Sequence, residues 1–193
     1  MPSLSLQRWF TERATSLDEI ERAHRSLRGS GPGVRAATLQ INQAYTMLLS
    51  GQFQGYCRDF HEECSVLLTL PITNPNIRKM AKYNLSFGLK LDRANPNPGN
   101  IGSDFDRLGL GFWPLVLSQR SQNGARRAAL EELNAWRNAI AHQDFAPTML
   151  VAGRPFLKLA RVQSWRGACD GLVRSFDDVM QSYIQTTTGT VPW

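Results

Sequence analysis

Apolar positions recur along most of this chain at intervals of three and four residues, the period of helices packed by one face. Thr15-Ser16 before Leu17-Asp18-Glu19-Ile20-Glu21 reads as a helix start with acids in its first turn. That helix is expected to run to Arg28 and to stop at the linker Gly29-Ser30-Gly31-Pro32-Gly33. From Val34 a long helical stretch begins, carrying Leu39, Tyr45, Leu48 and Leu49, with a kink or interruption expected at Ser50-Gly51. Phe53, Cys57, Phe60, Cys64, Leu67 and Leu68 continue the apolar stripe to Pro71.

Asn74-Pro75 opens a further helix through Met80, Tyr83, Leu85 and Phe87. Residues 95–100, Asn-Pro-Asn-Pro-Gly-Asn, read as a loop, Ser103 to Leu108 as a short helix, and Phe112 to Ser118 as another apolar piece. Gly124 to His142 is rich in strong helix formers. Val151-Ala152-Gly153-Arg154-Pro155-Phe156 reads as a short hairpin or an irregular loop, and Trp165 to Ile184 as a closing amphipathic helix. No series of strands is predicted, so the expected class is an all-α bundle with a short irregular or hairpin segment near 146–160. The division expected is an N-terminal helix and linker over 1–33, a helical domain over 34–185 and a flexible tail over 186–193.

The helix ending at His142 carries the densest candidate chemistry. Ala129, Leu133, Trp136 and Ile140 share one face, predicted to pack into the core. Asn134, Asn138 and His142 fall opposite, with Arg137 and Ala141 at the margin. Lys and Glu usually furnish a solvated face. Amides, an arginine, a histidine and small alanines suit a face that is itself covered, where hydrogen bonds must be specific. The plainer reading gives Arg137 and Asn138 capping roles and leaves an exposed His142 in the last turn. Spacing alone leaves both readings open.

The chain has 193 residues, 42% hydrophobic and 20% charged, enough for one globular domain with its own core. A formal net charge of +6 favours partners that carry phosphate without naming one. Three cysteines, Cys57, Cys64 and Cys169, suggest reduced thiols in a cytoplasm. Neither a signal peptide nor a membrane span is expected.

The string Arg137-Asn138-Ala139-Ile140-Ala141-His142 resembles the Arg-x4-His signature of the HEPN superfamily, in which Asn often follows Arg. Leu48-Leu49-Ser50-Gly51-Gln52-Phe53-Gln54-Gly55-Tyr56 is similar to the start of the second helix in the RiboL-PSP-HEPN group. Asn97-Pro98-Gly99-Asn100-Ile101 and Asp104-Phe105-Asp106-Arg107-Leu108-Gly109 are similar to that group's middle section. The likeness spans about residues 35 to 185. It implies a HEPN-like helical bundle that forms a homodimer, bringing two motifs into one cleft. It also implies an endoribonuclease without metal or other cofactor, acting as a toxin or antiviral effector and open to control by an antitoxin or inhibitor protein. In that reading His142 moves protons, Arg137 steadies the phosphate and Asn138 orients the histidine or binds the phosphate; Asn134, which the motif does not itself nominate, and Arg126 and Arg127 are added as substrate-binding candidates. The alternative is a non-catalytic HEPN module that dimerises and binds RNA, a nucleotide or a partner protein.

Arg137 and His142 stand about 140° apart around a straight helix, so they do not converge on one phosphate unaided. No tyrosine follows His142 closely, which argues against control by modification of such a residue. The acids Asp59, Glu62 and Glu63 cannot be assigned a helper role. Cys57, His61 and Cys64 share a helix face in metal-ligand spacing, but Phe53, Phe60, Leu67 and Leu68 on that face favour core packing. His24, set among arginines, reads as a solvated helix residue. Arg120, Arg126 and Arg127, with Arg154, Lys158, Arg161 and Arg166, form either a phosphate track or an ordinary charged surface.

Overall fold

The computed structural model describes residues 1–27 and 31–193 and is mostly helical. Helix α1 (Leu4–Arg8) runs through a π-helical turn at Trp9–Arg13 into α2 (Ala14–Ser26). The start lies well before Thr15-Ser16, because Ser3 caps it by accepting the Leu6 N–H at 3.1 Å. The Thr15 hydroxyl instead donates to the Thr11 carbonyl within the helix. The expected end at Arg28 and the linker residues Gly29 and Ser30 lie outside the described residues.

Helix α3 (Pro32–Thr69) begins with Gly31 and Pro32 at its cap and first turn, so helix replaces linker there. Its 38 residues span about 57 Å. The break predicted at Ser50-Gly51 does not occur, since α3 is gripped along its length by α1, α2, α4, α7 and α8. Tertiary packing overrides the local cost of one glycine.

Helix α4 (Pro75–Ser86), capped by Asn74, lies on the end of α3. Its Ile77, Met80, Tyr83 and Phe87 side chains face solvent, the last two rings stacked at 4.9 Å. Helix α5 (Pro98–Phe105) starts within the segment expected to be loop, because Asn97 accepts the Asn100 N–H at 2.8 Å and Pro98 occupies the first turn. Helix α6 (Phe112–Gln119) leads to α7 (Asn123–His142). A two-residue hairpin, β1 (Leu150–Val151) and β2 (Arg154–Pro155), turns at Ala152 and Gly153, both with positive φ. Helix α8 (Leu159–Thr188) closes the chain.

Aromatic rings fill the centre. Phe105 stacks on Phe112 at 4.3 Å, and the Phe176 ring meets Phe112 edge-on at 4.8 Å. Trp9 joins this core and donates to Asp170 at 2.8 Å, so the segment 1–27 is seated in the same core as 34–185. The expected flexible tail is likewise tied down. Trp193 lies 5.9 Å from the Phe60 ring, and its indole donates to Asp177 at 3.2 Å. No described helix is long and apolar enough to cross a membrane.

Cys57, His61 and Cys64 are all fully buried, and burial pushes the thiols of all three cysteines up. His61 Nε2 lies 3.0 Å from the Asp104 carbonyl, while Nδ1 has no partner among the described residues. That pattern belongs to a neutral ring donating through Nε2. Desolvation holds its pKa below the ordinary 6.5.

Two stability predictions follow from this packing. Gly51→Ala should raise the unfolding free energy by about 0.5–1 kcal/mol, because nothing lies within 4 Å of the added Cβ; urea unfolding reads it. His61 is neutral in the fold, so the unfolded chain binds more protons as pH falls below 6.5. Stability should therefore be full above that pH and decline on acidification. His61→Gln keeps a donor for the Asp104 carbonyl and should flatten the decline when unfolding is compared at about pH 7.5 and about pH 5.5.

Candidate active face on helix α7

Leu130, Leu133, Trp136 and Ala139 form the buried side of α7, with Ala129 and Ile140 partly buried beside them. The expected stripe is thus present, shifted slightly around the helix. Against α8, the Trp136 and Trp165 rings lie 6.3 Å apart, and the Trp165 indole donates to Glu132 at 3.0 Å. The helix ends at His142 because Gln143 adopts a left-handed conformation, φ 55° and ψ 31°. Its N–H and that of Asp144 both reach the Ala139 carbonyl.

Asn134 is not a substrate-facing residue in this fold. It is 4% exposed, and its Nδ2 donates to the Pro96 carbonyl at 3.1 Å and the Leu130 carbonyl at 2.9 Å. At about 40° from Leu130 around the helix, it sits nearer the core side than a simple two-face reading places it. The loop before α5 covers it. That loop is also held from α3, where Gln54 donates to the Leu91 and Ala94 carbonyls. Asp104 secures it further by accepting the Lys90 and Leu91 N–H groups.

Asn138 stands at the rim of the same loop. Its Oδ1 accepts from Asn95 Nδ2 and, at 3.3 Å, from the Arg137 guanidinium. Asn95 is the member of this constellation that sequence reasoning missed. The dense asparagines of 95–100 were the available signal: Asn100 Nδ2 donates to the Asn95 carbonyl and the Asn97 N–H does the same. The amide-rich face is covered, as its composition suggested, but by a loop of its own chain.

Arg137 is partly buried and Asn138 and His142 are exposed. Among the described residues, His142 makes no side-chain hydrogen bond and Arg137 no ion pair. His142 thus meets solvent at the last turn of α7, and Arg137, partly covered, keeps its contact with Asn138.

Arg126 and Arg127 do not join them. They lie about 22–24 Å back along the same helix from His142. Arg126 is folded against α8, where Gly171 leaves it room; a Cβ there would fall 2.2 Å from its Nε. Arg127 lies over the Trp113 ring at 5.0 Å and beside Glu131 at 3.7 Å. The wider basic track is similarly broken up by ion pairs: Arg120 with Asp178, Arg161 with Glu132 and Arg166 with Asp18. Arg154 and Lys158 make none among the described residues.

Asn134→Ala leaves the buried Pro96 carbonyl without its donor and should cost about 1–3 kcal/mol in urea unfolding. A solvent-facing amide would cost less than about 0.5 kcal/mol, so a loss that small would return Asn134 to the open face.

The sequence matches no protein-family model, no curated protein and no solved structure.

Proposed function

We propose that this chain is a HEPN-type endoribonuclease whose working groups are Arg137 and His142, with Asn138 as a positioning residue. The observation that carries the reading is selective freedom. The polar groups elsewhere on α7 are engaged in packing or loop contacts, whereas His142 is exposed without a side-chain hydrogen bond and the partly buried Arg137, five residues before it, makes no ion pair among the described residues. Asn138, held by Asn95, steers the guanidinium through its Oδ1.

Such a pair suits transfer within RNA. The 2′-oxygen attacks the adjacent phosphorus, the P–O5′ bond breaks, and a cyclic phosphate and a 5′-hydroxyl result. A histidine can take the 2′-hydroxyl proton or return one to the leaving oxygen near neutral pH. An arginine fork binds the phosphate oxygens as charge builds on them. The roughly 140° between Arg137 and His142 calls for a second copy, so that Arg137 of one protomer and His142 of its partner meet at one phosphate. In that homodimer neither a metal nor another cofactor takes part.

The openness of the face in a single chain favours, as a second reading, a HEPN module that pairs and binds RNA or protein without cutting. One experiment separates the two. Purified protein is incubated with RNA in EDTA beside Arg137→Ala and His142→Ala, with folding and dimerisation checked for each. The expected result is cutting that survives EDTA and falls at least about 100-fold in both variants. Wild-type protein that dimerises and cuts no RNA leaves the binding module standing. Cutting abolished by EDTA overturns the metal-independent mechanism.

A further inference from the structure

A second place on the molecule has the makings of a ligand site. Between α2, the start of α3 and the hairpin lies a trough of about 640 Å³, within the range of small-molecule sites. Its lining is mostly apolar, with Leu39 and Leu157 among its walls, and no acidic side chain contributes to it among the described residues. Phe156 lines it with half its surface exposed, and the Lys158 ammonium stands 5.2 Å from the ring centre. Arg154 and Lys158 leave two exposed cations at the rim.

Asn42 contributes a second, independent observation. It lines the trough while only 3% exposed, and its Nδ2 donates to the Leu157 carbonyl at 2.9 Å. Its Oδ1 is buried with no partner among the described residues. A buried acceptor without a donor is an unmet cost that an entering N–H removes. An entering donor would satisfy Asn42 Oδ1, and a carbonyl would not.

We propose that the trough holds one nucleotide unit bearing an amino-substituted base. The base wedges between Leu39 and Leu157 with its amino group on Asn42 Oδ1, and its outer part stacks on Phe156. The phosphate lies on Arg154 and Lys158. Adenine and cytosine fit this edge; uracil, with carbonyls flanking its one N–H, fits it poorly. As a subsite for an RNA strand the trough rests on the RNA reading above, and it lies apart from the groups assigned to cutting. A free mononucleotide has the same chemistry.

The test uses full-length His142→Ala protein, so that no strand is cut while binding is read. Adenosine and uridine oligomers of about 12 nucleotides are titrated by fluorescence anisotropy. AMP and UMP are titrated by calorimetry up to about 5 mM. The expected result is at least about fivefold preference for the adenosine ligand. Adding Phe156→Ala or the pair Arg154→Ala/Lys158→Ala should weaken its binding at least about fivefold. These three residues are exposed, so the result does not depend on a buried substitution. Asn42→Leu, where it folds, should remove the base preference. Saturable AMP binding, one per chain, assigns a free nucleotide; binding of the oligomer alone assigns a strand. No binding of either ligand, equal affinity for adenosine and uridine, or affinities untouched by the rim variants overturns the site. Wild-type protein that cuts RNA while the rim variants bind normally removes the trough and leaves the ribonuclease. Base-selective binding lost in the rim variants, with no cutting by wild type, does the reverse.

Discussion

The seam between α7 and α8 is the contact on which the rest of the candidate site depends. It is formed by Leu130, Leu133 and Trp136 on one side and by Trp165 and its neighbours on the other. Gly171 leaves room at this seam for the Arg126 side chain, which a Cβ there would displace. The indole of Trp165 then finds Glu132, which converts apolar burial into a fixed rotation of α7 about its axis. Rotation decides which side chains at the end of the helix meet solvent. Arg137 and His142 are open because this seam and the loop before α5 claim the other directions.

That loop is the second constraint. It is clamped from α3 by Gln54, from α5 by Asp104 and from α7 by Asn134. Two elements distant in sequence, α3 and α7, and the adjoining α5 thus agree on the position of Asn95, and Asn95 in turn holds Asn138. Such second-layer bonds restrict the rotamers of a polar pair at an exposed helix end, where packing alone would leave them loose. The arrangement explains why asparagines rather than lysines and glutamates occupy this stretch of α7. A short amide can serve as donor and acceptor across a close backbone approach, which a long charged chain cannot do without burying its charge.

Much of the architecture is legible in the sequence, for identifiable reasons. The helix start at Asn74-Pro75 and the helix former content of 124–142 are local signals, and the structure contains both elements; residues 151–156, left open between hairpin and irregular loop, form a hairpin. Elements were misjudged where the deciding partner is remote. Ser3 gains its role with help from Asp177 and Glu63 anchoring the first turn, across more than fifty residues in each case. Trp193 is ordered by Asp177 and Phe60, neither near it in the chain. Within the site, periodicity supplies the angle of each α7 residue but not which neighbour covers it. Spacing puts Asn134, Asn138 and His142 on one face without separating them, and the weight on Arg137, Asn138 and His142 comes from the resemblance to the HEPN signature. Asn95 was invisible except as part of an asparagine-rich run.

The charge of the chain shows the same distinction between composition and placement. A net charge of +6 describes the whole sequence, yet cations that can meet a phosphate are those left over after ion pairing and stacking. Arg13, Arg58, Arg120, Arg161 and Arg166 are matched to carboxylates, and Arg127 and Arg174 lie over aromatic rings. Arg137 and Arg154 make no ion pair among the described residues, nor do several other surface cations, and Lys158 makes none but lies over the Phe156 ring at 5.2 Å. An unpaired cation gains more from a phosphate than a paired one, because no existing Coulomb attraction has to be given up.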